Sequence, residues 1–115
     1  MGKLRRFFTQ PDEERLAEET ERWAAKIPGT RRIEGCPSRE PIRVAGTVKR
    51  LRLRPTDGMI TLEAVVSDGT GEVTAAWLGR SSIPGLGLGT GVVLEGVMAG
   101  GRNGRRMVNP RFEFA

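Results

Sequence analysis

From Pro41 to Phe114 apolar residues recur at every second position, interrupted at short intervals by turns that carry glycine. A period of two belongs to strands half-buried against a core, so this stretch has to fold as sheet. Ile42, Val44, Gly46 and Val48 share one face, with Arg43, Thr47 and Lys49 on the other. Leu51 and Leu53 then continue with the opposite parity. A strand changes parity by inserting an extra residue, which predicts a bulge near Lys49 and Arg50, with Gly46 permitting a bend. Past that bulge Leu51 and Leu53 are expected inward and Arg50, Arg52 and Arg54 outward.

Asp57-Gly58 supplies the left-handed positions of a tight hairpin, leading to a second strand with Ile60, Leu62, Ala64 and Val66 on one side. Asp68-Gly69-Thr70-Gly71 turns the chain again into a third strand with Val73, Ala75 and Trp77 inward. Between Gly79 and Gly91, Pro84, Gly85, Gly87 and Gly89 leave only a connection. A fourth strand carries Val92, Leu94 and Gly96, and an Asn103-Gly104 hairpin opens a fifth, running through Met107 to Phe114. Three meandering strands, an irregular crossing and a final hairpin are the order of a five-stranded OB-fold Greek-key barrel, whose first strand is long and bent. An SH3-like barrel explains the long strand and the crossing less well. The expected fold is thus an all-β body over residues 41–115 with one N-terminal α-helix.

That helix is expected over residues 9–28. Leu16, Thr20, Trp23 and Ile27 fall at i, i+4, i+7 and i+11, acidic residues crowd the first turn, and Pro28-Gly29 stops the run. Residues 29–40 mix Arg, Gly, Pro and Ser without period and read as a linker. Residues 1–8 form a basic tail with Phe7 and Phe8.

Composition excludes more than it selects. The 115 residues contain no histidine and one cysteine, Cys36, so no zinc ligand set, internal disulfide or histidine dyad is available, and no cofactor or catalytic residue is expected. No stretch approaches the about 18 apolar residues of a membrane span, and the tail lacks the apolar core of a secretory signal, so a cytoplasmic protein is expected. Nineteen Lys plus Arg face fourteen Asp plus Glu, a net charge of +5; only Lys3, Lys26 and Lys49 are lysines, leaving sixteen arginines, the side chain that forks onto phosphate.

Val44-Ala45-Gly46-Thr47-Val48, Val66-Ser67-Asp68-Gly69-Thr70-Gly71, Trp77-Leu78-Gly79-Arg80, then Gly89 with Val92, Leu94 and Gly96, and Met107-Val108-Asn109-Pro110 together resemble bacterial OB-fold nucleic-acid-binding proteins. Residues 40–114 are most similar to the wedge domain of RecG-type helicases and to short actinobacterial stand-alone OB-fold proteins with an N-terminal helix. The resemblance implies binding of nucleic acid without ATP use, since no Gly-x-x-x-x-Gly-Lys-Ser/Thr loop occurs.

OB-folds bind oligonucleotides across strands 2 and 3, between the loops joining strands 1 and 2 and strands 4 and 5. Both loops are basic here. Arg50, Arg52 and Arg54 lead into the first, and Arg102, Arg105 and Arg106 surround the second, with Arg43, Lys49 and Arg111 in support. Such clusters would track a phosphate backbone by releasing counterions. Tyrosine is absent, and Trp77, the one candidate for base stacking, shares parity with Val73 and Ala75 and so fits the core as well. Gly85, Gly87 and Gly89 miss the dinucleotide fingerprint because Thr90 stands where its third glycine belongs. Ser81 and Ser82 have no histidine partner and no suitable lysine nearby for nucleophilic chemistry, and Glu63 and Glu72 read as outward, solubilising carboxylates.

The expected function is non-catalytic binding of nucleic acid, single-stranded or junction DNA being favoured and RNA admitted, with low sequence specificity. The alternative is a protein-interaction module whose barrel is a scaffold and whose N-terminal helix docks a partner or a second copy.

Overall fold

The computed structural model describes residues 11–100 and 104–115. Helix α1 spans Pro11–Ala25, followed by strands β1 (Pro41–Thr56), β2 (Met59–Ser67), β3 (Glu72–Leu78), β4 (Gly91–Val97), β5 (Arg105–Val108) and β6 (Arg111–Phe114). The strands form one six-stranded sheet in the order β5-β3-β2-β1-β4-β6. Among the described residues the body is mostly β with a single helix, as the alternation requires.

β1 is long enough to serve two neighbours. Its first half, Pro41 to Thr47, pairs antiparallel with β4, and its second half, Thr47 to Thr56, pairs antiparallel with β2. The register shifts between Val48 and Arg50, making Lys49 the extra residue. The bulge therefore sits where the parity change predicted it. Before it Ile42, Val44 and Val48 enter the core; there they meet Leu62, Ala64 and Val66 of β2, Val73, Ala75 and Trp77 of β3, and Val92 and Leu94 of β4. Asp57 (φ 49°) and Gly58 (φ 77°) make the expected left-handed hairpin.

Leu51 and Leu53 depart from expectation in burial rather than in direction. They pair with Ala64 and Leu62, whose side chains are inward, yet remain 36% and 52% exposed. β4 pairs only the first half of β1, so beyond the bulge little covers them. The β3–β4 connection offers Ile83 and Leu86 opposite, leaving an open apolar mouth of about 230 Å³.

The fifth strand is two strands. Asn109 is left-handed (φ 50°) and Pro110 has no N–H, so the ladder breaks between them. β5 runs parallel to β3, and β6 antiparallel to β4. The break is held firmly: the Asn109 N–H donates to the Ala76 carbonyl at 2.7 Å, and the Leu78 N–H donates to Asn109 Oδ1 at 2.9 Å.

Residues 29–40, read as a linker, pack on the sheet. Ile33 is fully buried in the core. The Arg31 N–H donates to the Arg43 carbonyl at 2.8 Å, the Ile33 N–H to Asp68 Oδ2 at 2.9 Å, and the Glu34 N–H to Thr70 Oγ1 at 3.1 Å. Asp68, itself buried, also accepts from the Thr70 N–H, the Thr70 hydroxyl and the Gly71 N–H through Oδ1. One carboxylate thus shapes the β2–β3 turn and pins the strap that crosses it.

The helix lies across the outer faces of β1 and β4, where Ala24 packs with Ala45 and Val93, flanked by Trp23 and Ile27. Its seat is made of small groups. Gly69 meets the helix backbone so closely that a Cβ there would fall 2.0 Å from the Ala17 carbonyl oxygen. That contact selects Ala17, Thr20 and Ala24 as the packed side and turns Leu16, expected on the packed stripe, out to 51% exposure. No described helix is long and apolar enough to cross a membrane.

Candidate nucleic-acid interface

Alternation along the strands decides which predicted cations share a surface. The face of β1–β2–β3–β5 turned away from the core carries Arg50, Arg52 and Arg54 on β1, Thr61, Glu63 and Val65 on β2, Thr74 and Ala76 on β3, and Arg106 on β5, all fixed by the ladder register. Across it runs a groove of about 780 Å³, lined by Lys49, Arg50, Arg52, Glu63, Val65 and Leu88 among others.

At the centre of this face lies a carboxylate that was expected to be outward and solvated. Glu63 is 2% exposed, roofed by guanidinium groups from two strands far apart in sequence. Arg52 donates from Nε and Nη2 to Oε1 at 3.2 and 3.1 Å, and Arg106 donates from Nη1 to Oε2 at 2.8 Å. Arg54 Nη1 stands 3.6 Å from Oε2. Burial pushes the Glu63 carboxyl up, but hydrogen bonds from Arg106 and Arg52 and the charges of Arg106 and Arg54 outweigh it and hold the group below its ordinary 4.5. The available signal was Arg52 directly opposite Glu63 in the hairpin register, with outward arginines on either side.

A pH prediction follows from that balance. A carboxyl with a depressed folded value contributes stability that is fully present above its unfolded value and is lost as pH falls through the folded one. Stability is expected to hold above about pH 5 and to decline below the ordinary carboxylate value, as protonation leaves three guanidinium groups without their counter-charge. Thermal midpoints of the native chain and Glu63→Gln, followed from pH 6 down to about pH 3, check it. The native curve should fall more steeply; parallel curves would sink the prediction.

The remaining predicted cations divide. Arg50 joins the face, its Nη2 3.3 Å from Glu72 Oε1, and Lys49 projects from the bulge beside it. Arg43 lies in the other half of β1, bound to Glu113 at 2.6 Å and Glu95 at 3.4 Å, and with Arg111 lines a separate cleft of about 600 Å³. Arg105 also leaves the groove: adjacent strand residues point to opposite sides, so with Arg106 outward, Arg105 turns toward Gly71 and Cys36. Arg102 lies outside the described residues.

Trp77 presents no surface to a base. It is 5% exposed, its Nε1 donates to the Pro110 carbonyl at 3.1 Å, and it meets Phe112 edge to face at 5.5 Å. Glu72 pairs across the hairpin with Ser67, not Glu63, so the two carboxylates do not form a couple. Burial raises the Cys36 thiol above its ordinary value despite Arg105 and Arg31 nearby. Among the described residues no three carboxylate or thiol groups gather as a metal site would need.

Five cations on the face, Lys49, Arg50, Arg52, Arg54 and Arg106, stand against Glu63 and Glu72, a local excess of three positive charges. The arginines paired with these carboxylates keep 39% to 66% of their side chains exposed, so donors remain for an external anion. No protein-family model matches the chain, and no curated protein matches it.

Proposed function

We propose that this chain is a non-catalytic nucleic-acid-binding protein of the OB type, with β1 to β4 as its first four strands and β5 and β6 as the two halves of the fifth. The bulged first strand shared between β2 and β4, and the consecutive β5 and β6 at opposite edges of the sheet, support that reading of the fold. The observation that carries the function is the convergence of Arg52 and Arg54 of β1 and Arg106 of β5, far apart in the chain, on one exposed face. Guanidinium groups held in a fixed array can fork onto successive phosphates, and they carry no base-reading information. With Trp77 buried, binding is charge-driven, modest in strength and weak in sequence preference.

Titration of a labelled oligothymidylate at two salt concentrations tests this. Five phosphate contacts give a slope of log affinity against log salt of about −3 to −4 for a single strand. Changing Lys49, Arg50 and Arg54 to Ala leaves Arg52 and Arg106 on Glu63, so the fold is retained. The slope is expected to flatten by about 2, with affinity at low salt down by at least about tenfold. No binding at low salt, or equal binding by the triple variant, overturns the reading.

The second reading, docking of a protein on the helix, draws on the exposed Leu16 beside Asp12 and Glu13. It requires oligonucleotide binding to be absent.

A further inference from the structure

The carboxylate of Glu63 already holds an anionic group against the inner side of the arginine array. Three guanidinium groups close over it, and its own surroundings otherwise carry no charge: Thr61 and Val65 flank it on β2 and Ala76 faces it from β3. The charged groups facing it are Arg52 and Arg54 from β1 and Arg106 from β5; the next carboxylate, Glu72, is engaged by Arg50. We infer that Glu63 is a built-in competitor for the phosphate of the ligand, holding the arginine array in shape while neutralising part of its charge, so that it sets the affinity of the face. This rests on the nucleic-acid reading above and goes beyond it by assigning to one buried acid the strength and pH response of binding.

Donor arithmetic makes the competition concrete. Three arginines carry fifteen N–H donors. Glu63 engages Nε and Nη2 of Arg52, Nη1 of Arg106 and, more loosely, Nη1 of Arg54, leaving the outer edges of the forks free. A phosphate arriving on those edges meets the same cations from the opposite side. It feels repulsion from a carboxylate within 3.6 Å of each, and in turn weakens the hold of the arginines on Glu63. Ligand and internal acid are therefore coupled: phosphate binding favours the protonated acid, and protonation of the acid favours phosphate.

Two measurements on the full chain, with oligothymidylate as the probe because thymine does not titrate in the acid range, decide it. In the first, Glu63→Gln keeps the shape and an acceptor for Arg52 while removing the charge. It is expected to bind about tenfold tighter at low salt, with the slope against log salt steeper by about 0.7. If that variant has the circular dichroism of the native chain and binds no tighter, the inference is overturned. If it does not fold, the second measurement decides. Calorimetric titration of the native chain near pH 4.5, in two buffers of different ionisation enthalpy, is expected to show proton uptake on binding. The uptake should persist in Glu72→Gln and disappear near pH 7, where protonation of Glu63 is negligible. Absence of uptake, or its loss in Glu72→Gln, overturns the inference. If the native chain does not bind the probe at low salt, the parent reading fails and this one with it. Native binding that weakens in the triple variant, together with a folded Glu63→Gln that binds no tighter, sinks this inference alone.

Discussion

Asp68→Ala is expected to lower stability by about 3 to 4 kcal/mol. Its carboxylate accepts four hydrogen bonds while 3% exposed: three through Oδ1 inside the β2–β3 turn and one through Oδ2 from the Ile33 N–H. Bonds to an ionised acceptor contribute about 1.5 to 3 kcal/mol each, and truncation leaves a buried amide without a partner, though neighbouring bonds do not add fully. The loss reaches two elements, since the strap that carries Ile33 into the core is tied to the turn through this carboxylate. Asp68→Asn should cost about half as much, because one oxygen still serves the turn while the amide group opposes the Ile33 N–H. Chemical denaturation gives the sizes, and amide exchange at Ile33 and Glu34 gives the place. A midpoint shift under a few degrees for Asp68→Ala would contradict this account.

Gly69→Ala comes next, at about 2 to 4 kcal/mol. Gly69 is left-handed (φ 88°), and its Cβ would strike the Ala17 carbonyl oxygen at 2.0 Å and the Glu21 nitrogen at 3.2 Å. Both obstacles are backbone, so no rotamer change relieves them; the helix has to lift. Gly58→Ala separates the two costs. It has a similar φ of 77° and nothing within 4 Å, so only the conformational part, about 1 kcal/mol, should appear. Trypsin should then cut at Arg22 and Lys26 in Gly69→Ala well before the sheet opens, and not in Gly58→Ala. Equal stability of the two variants would show that the helix is not seated on this turn.

Local pattern and tertiary choice divided the legibility of this chain. The alternation from Ile42, its parity change at Lys49 and the Asp57-Gly58 hairpin are encoded in neighbouring residues, and the sheet follows them. The split of the last strand is also encoded locally, in Asn109-Pro110, although Met107, Phe112 and Phe114 taken by themselves read as one continuous run. Ile33 was hidden for a different reason: a single buried residue in an aperiodic strap has no period to detect, and its anchor lies 35 positions away at Asp68. Leu16 is exposed rather than packed because an amphipathic helix offers more than one packing face, and the close approach at Gly69 decides between them.

At the site, the outward placing of Arg50, Arg52 and Arg54 was readable from parity alone. Arg105 and Arg106 do not share the groove as expected, because consecutive strand residues point to opposite sides. Glu63 needed the register as well: only the pairing of β1 with β2 brings Arg52 opposite it, and only the parallel pairing of β5 with β3 delivers Arg106.

One segment, residues 105–114, supplies both outer strands of the sheet, joined across Asn109 and Pro110. During translation β1, β2, β3 and β4 can pair as they leave the ribosome, but the free margins of β3 and β4 stay uncovered until that segment emerges. Nascent chains stalled before residue 105 would accordingly present two unsatisfied backbone rows at once, the condition under which chaperones engage and neighbouring polypeptides cross-pair.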